Sequence, residues 1–542
     1  MDAFHCLRSL WPVVLLVATA CGTGSSDTAP TDTESSALPE DDTENDTETG
    51  AVDTQDLDTA IPDTGNNDSG ETPEPLACVV QEEGCDRILL ANDQQQLLLQ
   101  GSGYWADTGI DHSGETVCIP SGEYSVLNLS GLTGTADAPV HIQNCGEGQV
   151  VVDAAGQYPA LSAWGARFVH LAGNGDPSHP YGFVFKNPGA GLAVVDMREG
   201  STDITLEHIE VSGPAYSGIA IRTYPYCKSE FARGTFTQRN TVIRHSYVHD
   251  VSGEGLYIGP SHYDHDHSPT STEDCAPGYP EASLSGVEIA YNRVENTGRD
   301  GIQVGAATEG VNIHHNVVRN YAMLESYGHI AGIQLNPGTV GRIHANWIES
   351  KAGSEIDNAF QIVGGDTGPL LLYNNVIVGT RIPFMALVRM GSPDHPTQIL
   401  NNTVHGRSDG GRSLYIFCKS EFQQPFTVRN NLFVGHEWVG YPIWTDSEGQ
   451  TYSKIVDANA ENCPINGTPY GNGPDPDLAV PGNFYSTEIP AAGFVDPTGR
   501  DYHLTADSPA VGTGVNLSGI FTEDHDGLER GSGPYDLGAY RY

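Results

Sequence analysis

Between residues 204 and 435, one short pattern of apolar and polar positions occurs eight times. An apolar residue is followed three positions later by a turn residue. A second apolar residue comes two further on, and a small or polar residue closes the unit after two more. The first apolar slot holds Leu206, Ile243, Ile289, Ile313, Ile343, Leu372, Ile399 and Val428. The turn slot holds Ile209, Ser246, Asn292, Asn316, Asn346, Asn375, Asn402 and Asn431, and only Ile209 breaks its chemistry. The second apolar slot runs from Val211 to Phe433, and the closing slot is Gly213, Asp250, Asn296, Asn320, Ser350, Gly379, Gly406 and Gly435. Successive turn residues lie 37, 46, 24, 30, 29, 27 and 29 apart. Self-similarity at such periods marks a solenoid. Within each copy the alternation has period two, so the units are strands rather than helices. A copy of about 25 residues supplies three short strands and three turns, which is one coil of a parallel β-helix. Asn suits the turn slot because its short amide tolerates left-handed backbone and bonds a neighbouring coil. Stacked Asn side chains are expected to form a ladder inside the molecule.

Most copies add a third strand after a loop: Gly-Ile-Ala-Ile (218–221), Gly-Leu-Tyr-Ile (255–258), Gly-Ile-Gln-Val (301–304), Gly-Ile-Gln-Leu (332–335), Ala-Phe-Gln-Ile (359–362) and Ser-Leu-Tyr-Ile (413–416). Their apolar residues are expected to point inward. Ala220, Tyr257, Gln303, Gln334, Gln361 and Tyr415 then point outward, one above another. This combination resembles the right-handed parallel β-helix superfamily typified by pectate lyases, which includes secreted bacterial β-helix repeat proteins. The resemblance covers the chain from about residue 116 to its end. It implies an all-β, single-stranded, right-handed parallel β-helix with an N-terminal cap and a disordered acidic linker. It further implies that the third strands form the sheet whose outer face carries the substrate groove in the family's enzymes. It is specific for fold and not for activity.

Outside the repeat, residues 1–21 read as a lipoprotein signal. Arg8 precedes a short apolar run from Trp11 to Ala20, and Val17-Ala-Thr-Ala-Cys21 resembles a bacterial lipobox, with Ala18 where Leu is usual. The run is too short to span a membrane. Cys21 is the expected lipidation site. The protein is then an outer-membrane lipoprotein, or extracellular or periplasmic, touching the membrane through its lipid alone. Residues 22–75 carry 16 acidic residues and no Lys or Arg, a composition that cannot bury enough apolar surface to fold. Residues 76–115 are expected to form an N-terminal cap, with 86–100 as a short amphipathic helix. The coil occupies 116–495, and 496–542 covers its open last turn, since an uncovered edge invites aggregation. Asp524, Asp526 and Asp536 belong to that covering role.

The net charge of −45 makes nucleic acid a poor partner. A polyanionic glycan is also repelled unless bound cations or a local basic patch intervene. Eight cysteines remain once Cys6 and Cys21 are set aside. An even count in an exported chain favours disulfides. Pairing of neighbours would join 78–85, 118–145, 227–275 and 418–463, although sequence does not fix connectivity. The absence of Cys-x-x-Cys spacing argues against structural zinc.

Candidate chemistry falls on loops flanking the third strands. Glu254 and Asp300 each stand one residue before the Gly that opens their strand. On adjacent coils ~4.8 Å apart they could share a cation or split their pKa values. That spacing is also near the ~5–5.5 Å of a retaining glycosidase pair. Acidic residues before Gly are equally common in tight turns, so both readings stand. His329 lies close enough in register to join them. Two long loops follow on the other side. The first carries Lys228, in Cys227-Lys-Ser-Glu-Phe231, which recurs as Cys418-Lys-Ser-Glu-Phe422 and so also reads as a structural motif. The second contains His262, Asp264, His265 and Asp266, usable as metal ligands or simply solvated. Substrate-binding candidates are Arg222, Tyr257, Gln303, Gln334, Gln361 and Tyr415, since amides bond hydroxyls and aromatic faces stack on sugars.

The resemblance implies a polysaccharide lyase or epimerase, first of all a calcium-assisted lyase. Glu254 and Asp300 would hold Ca²⁺, and Lys228, Arg222 or a His of 262–267 would act as base. A glycoside hydrolase using the two carboxylates is the alternative, though the Asn-Thr-Asp motif of β-helix polygalacturonases departs here at Gly298 in Asn296-Thr297-Gly298. A non-catalytic β-helix binding glycan or a cell surface is the third reading. In each case the expected partner is a polysaccharide, and the protein is expected to be a monomer.

Overall fold

A computed structural model describes residues 84–542, apart from 101, 104–105, 108–110, 175–176, 226–227, 264–278, 366, 389–391, 393, 408–412, 419–423, 437–442, 446–450, 454–464 and 467–481. Two compact units divide the chain at residue 71, and all the described residues belong to the second.

The alternating segments become parallel strands stacked in three ladders. The first ladder holds the strands before the turn slot, from Thr202–Glu207 through Thr237–Arg244 and Ser283–Ala290 to Phe426–Arg429. The second holds those after it, from Ile209–Ser212 through Tyr247–Val251 to Leu432–Val434 and Phe484–Ser486. These two ladders run together as one 23-stranded sheet. The third ladder is an 11-stranded sheet that includes Ser217–Arg222, Glu254–Ile258, Ile302–Val304, Ala331–Leu335 and Asn358–Ile362. Each strand pairs with its equivalent one coil away, as Leu206 with Ile243 and Ile243 with Ile289. The chain is thus a parallel β-helix. Identical slots meet, so the apolar slots form continuous buried columns. Among the described residues no helix is long and apolar enough to cross a membrane.

The Asn ladder is present, and its geometry explains the residue type. Asn346 donates from Nδ2 to Asn375 Oδ1 (3.0 Å) and to the Ile313 carbonyl (2.9 Å). Its own Oδ1 accepts from the backbone N–H (3.1 Å) and Nδ2 (2.9 Å) of Asn316. The same pattern links Asn292 to Asn316, Asn375 to Asn402, Asn402 to Asn431, and Asn431 to Asn483. Only a group that donates and accepts at once can serve here. The left-handed backbone, however, lies one residue earlier than expected: His208, His245, Tyr291, His315, Ala345, Asn374, Asn401 and Asn430 have φ between 49° and 60°. The Asn is selected for its amide rather than for its φ. Left-handed backbone does recur in the closing slot, at Asp250, Asn296 and Asn320.

Two expectations are corrected, the helix over 86–100 and the cysteine pairing. Residues 86–100 are not helical. Arg87–Ile88 pairs with Val117 and Cys118, and Gln96–Leu98 pairs with Val126 through Asn128. Leu97 and Leu99 are buried while Leu98 is 43% exposed, a period of two that outweighs the apparent amphipathicity. The coil therefore begins well before residue 116. Cys85 is bonded to Cys118, which excludes 78–85 and 118–145; Cys145 is also in disulfide linkage. Register places Cys118 beside the earliest strand, and neighbours in space outrank neighbours in sequence. Cys78, Cys227, Cys275 and Cys463 lie outside the described residues. Finally, the described contacts of the closing segment run along the flank of the last coils. Asn374, Asn401 and Asn430 donate to the carbonyls of Glu523, Gly538 and Val515. Asp524 and Asp536 accept backbone N–H groups there, including those of Leu528 and Tyr542.

Replacing Asn346 by Leu removes a donor and an acceptor from the ladder and leaves the Asn316 N–H buried without a partner. The expected loss is about 2–4 kcal/mol. The exposed Asn320, which donates to Asn296 at 3.0 Å, should cost less than about 1 kcal/mol as Ala. Urea denaturation of both variants measures the difference.

Candidate functional site

Outward positions of the third ladder align in the expected column. Ala220 pairs with Tyr257, Tyr257 with Gln303, Gln303 with Gln334, and Gln334 with Gln361. The next member is Met385, and Tyr415 follows it. Met385 was missed because its strand, Ile382–Val388, reads Ile-Pro-Phe-Met-Ala-Leu-Val and lacks the opening small residue. Asp196, stacked under Ala220, was missed for the same reason. The column is not a solvated ladder: Gln303 is only 1% exposed, and Tyr257, Gln334 and Gln361 are also buried. Gln303 and the Tyr257 hydroxyl share Ser261 Oγ, at 2.8 and 2.7 Å.

Glu254 and Asp300 are brought together with His329. Both carboxylates are fully buried. The Gly after each is required because a Cβ there would meet the carbonyl of the next coil, at 2.5 Å for Gly255 and 2.7 Å for Gly301. Asp300 Oδ1 accepts the Ala331 N–H at 2.8 Å, which is turn chemistry. Its Oδ2 lies 3.6 Å from His329 Nδ1 and 3.1 Å from the Gln334 side-chain amide. Glu254 receives no hydrogen bond of good geometry within the described residues. It is held by charge, with His329 Nδ1 at 3.2 Å and Arg299 Nη1 at 3.6 Å. Burial alone would lower the His329 pKa, but hydrogen bonding and charge from Asp300 and Glu254 push it up to about 9. Burial raises Asp300 to about 6 against the pull of His329. The imidazolium and Arg299 thus balance two buried carboxylates. Ligand atoms of Glu254, Asp300 and His329 all lie within 4.8 Å of one another. This donor set fits a divalent ion, but two carboxylates and one nitrogen fall short of the six to eight oxygens usual around Ca²⁺.

A second cluster lies beside the first. Arg222 sits among three tyrosines, its guanidinium carbon 4.2 Å from the Tyr257 ring centre and 5.1 Å from those of Tyr216 and Tyr224. Nη1 donates to the Tyr224 hydroxyl at 3.1 Å and reaches that of Tyr216 at 3.4 Å. Tyr224 and Tyr257 hydroxyls are 3.2 Å apart. Burial holds the Tyr224 hydroxyl well above the ordinary phenol range. Among the described residues no carboxylate lies within ion-pair distance of Arg222, and its Nε is buried without a hydrogen bond. Tyr216 connects the clusters, with Arg299 5.9 Å from its ring. Tyr216, Tyr224 and Arg299 were not singled out in sequence. The signal was the aromatic residues bracketing a strand that ends in Arg222.

The other sequence candidates are dispersed. Lys228 Nζ pairs with Glu199 at 2.6 Å, so its ammonium already has a carboxylate partner. The His262 N–H donates to buried Glu281 at 2.8 Å. Asp264, His265, Asp266 and Cys21 lie outside the described residues.

No family model and no curated protein matches the chain. Solved structures do. An alginate lyase from Paenibacillus sp. str. FPU-7 is 14% identical, covering 61% of this chain and 98% of its own, with a TM-score of 0.37. Pectate lyase Pel9A is 13% identical over 85% of this chain and 98% of its own, with a TM-score of 0.38. A PL6 family alginate lyase, AlyGC, is 14% identical over 68% and 57%, with a TM-score of 0.24. The parallel β-helix itself rests on the strand pairing of this chain.

Proposed function

We propose that this protein is a polysaccharide lyase that cleaves a uronate-bearing glycan lying along the third ladder. The observation that supports this reading best is Arg222, a guanidinium held by three tyrosines with no carboxylate within ion-pair distance among the described residues. A half-buried cation with no carboxylate partner among the described residues favours an anion from outside. It also answers the charge objection, because a local positive site exists on an otherwise acidic chain. In β-elimination the uronate carboxylate pairs with Arg222, which stabilises the negative charge that develops as the C5 proton leaves. The C5–H bond breaks, a C4–C5 double bond forms, and the C4–O4 bond breaks as O4 takes a proton. Tyr224, kept protonated by burial, is suited to give that proton, and Tyr257, entering the step as phenolate, to receive the one from C5; the gained proton then returns to Tyr224 across their 3.2 Å contact. Glu254, Asp300 and His329 act as a neutralised wall that positions Gln334 and Arg299. The hydrolase reading has less support, because both carboxylates are fully buried and share one imidazole rather than facing a sugar. Export and lipidation at Cys21 belong to the same proposal, since a glycan of this kind is met outside the cell.

Incubation with pectins, alginates and glycosaminoglycans should give the ultraviolet absorbance of an unsaturated uronate with one of them. Arg222→Ala should lower kcat/KM by about 10²-fold or more, and Arg222→Lys should recover only part, since Lys lacks the planar fork. Reducing ends without that absorbance would establish the hydrolase instead, and glycan binding with neither product would establish a binding module.

The calcium-assisted form makes a separate prediction. If Arg222 supplies the neutralising charge, activity survives chelation. Loss with EDTA and recovery with Ca²⁺, both abolished in Glu254→Gln and Asp300→Asn, would instead assign the ion to the buried carboxylates.

A further inference from the structure

Several histidines elsewhere in the molecule are partners of carboxylates. His112 faces Glu115, His170 faces Glu207, His249 faces Glu210 and Asp250, and His503 faces Asp501 and Asp526. A different arrangement joins three others. His314 ends a first-ladder strand, Val311–His314, and His315 follows it in left-handed backbone, with φ of 54°. That turn swings the second side chain back toward the first, and their Nδ1 atoms lie 2.8 Å apart. His344 occupies the position of His314 one coil on, and its ring stacks on that of His314 at 5.1 Å. Within the described residues no carboxylate lies within ion-pair distance of any of the three.

The rings are held in place by their neighbours. Tyr291 stacks on His315 at 4.9 Å, and its ring meets that of His314 edge-on at 5.4 Å. Tyr373 stacks on His344 at 4.7 Å. The His344 Nε2 lies 3.1 Å from Asn312 Oδ1, an acceptor. Nε2 therefore carries the proton, and Nδ1 keeps its lone pair. A carbonyl-type oxygen on one ring nitrogen of a histidine is the arrangement that fixes the other nitrogen as a metal donor. All three histidines are half-buried, hence reachable from solvent.

The geometry points to a binding site for a divalent late transition metal at His314 and His315, with His344 alongside, on the flank of the first ladder and separate from the groove. Two nitrogens in adjacent positions of a square or octahedral ion, with bonds of ~2.0–2.1 Å, stand about 2.9 Å apart. Tetrahedral coordination requires a wider span. An N–H···N contact holds the pair at a spacing that adjacent sites of such an ion can use, and the tetragonal preference of Cu²⁺ and Ni²⁺ for nitrogen donors selects those ions. A pair fixed by flanking rings on a rigid sheet binds without the ordering cost that a flexible loop incurs.

The probe is Cu²⁺ alone, titrated into the full chain and followed by calorimetry and electron paramagnetic resonance. One equivalent should bind with hyperfine lines from imidazole nitrogen. His315→Asn, which keeps a residue tolerant of left-handed backbone, should weaken binding on the order of tenfold or more and change the spectrum. His208→Asn, at the equivalent position before the turn slot three coils earlier, should change neither. An unaltered affinity and spectrum in a folded His314→Asn/His315→Asn variant would overturn the assignment. A measurement on the unmutated chain gives an independent check: Cu²⁺ should shield His314 and His315 from diethyl pyrocarbonate, as mapped by mass spectrometry. Shielding confined to other histidines would also overturn it.

Discussion

Everything in this molecule is positioned by the register of one coil on the next, and that register is held by a primary amide that gives and accepts hydrogen bonds simultaneously. A strand can slip by two residues and still bury an apolar face. The Asn column forbids this, because a slip would leave both an N–H and a carbonyl buried without partners, at a cost of several kcal/mol per coil. The apolar columns supply most of the stabilisation, but the amides choose which of the possible stackings is adopted. Once that choice is made, Glu254 and Asp300 are placed side by side without any further contact being needed to bring them there. Tyr257 and Gln303 are aligned in the same way.

The electrostatics follow from this stacking. An acidic chain placing carboxylates on successive coils must either expose them or supply cations. Exposed turns here keep Asp250, with Asn296 and Asn320 as neutral neighbours bonded in series. Around Glu254 and Asp300, which are fully buried, His329 and Arg299 provide the balancing charge. Arg222 is the reverse case, a cation surrounded by phenols. Tyrosine faces and hydroxyls stabilise a guanidinium without neutralising it, so its charge remains available to a ligand.

Much of the architecture was legible because a solenoid writes its fold repeatedly. The turn slot, the inward columns and the outward row from Ala220 to Gln361 could all be read from spacing. The juxtaposition of Glu254, Asp300 and His329 followed from register alone. What escaped were features that appear once. The segment 86–100 has leucines that suit a helix as well as a strand, and only Leu97 and Leu99 sinking into a core built by later coils decides between them. The coil of Met385 lacks the small residue that marked the others. The tyrosines around Arg222 converge from loop, strand and turn, and no linear pattern joins Tyr216, Tyr224 and Tyr257. The cysteine pairing failed because it assumed that closeness along the chain means closeness in space, whereas in a coil the nearest neighbour is a full turn away.

The closing segment has a mechanical consequence. In a linear stack each coil touches only its neighbours, so the terminal one is free to peel away, and loss can spread inward step by step. Here the chain doubles back over a sequence separation of 149 residues to reach Asn374, and it bonds Asn401 and Asn430 on the way. It lies across several coils like a batten nailed over planks. Peeling the last coil then requires tearing a strip fastened to coils further in. Fraying at that end becomes a joint event rather than a sequential one, and the length of chain that opens together is set by the reach of the strip.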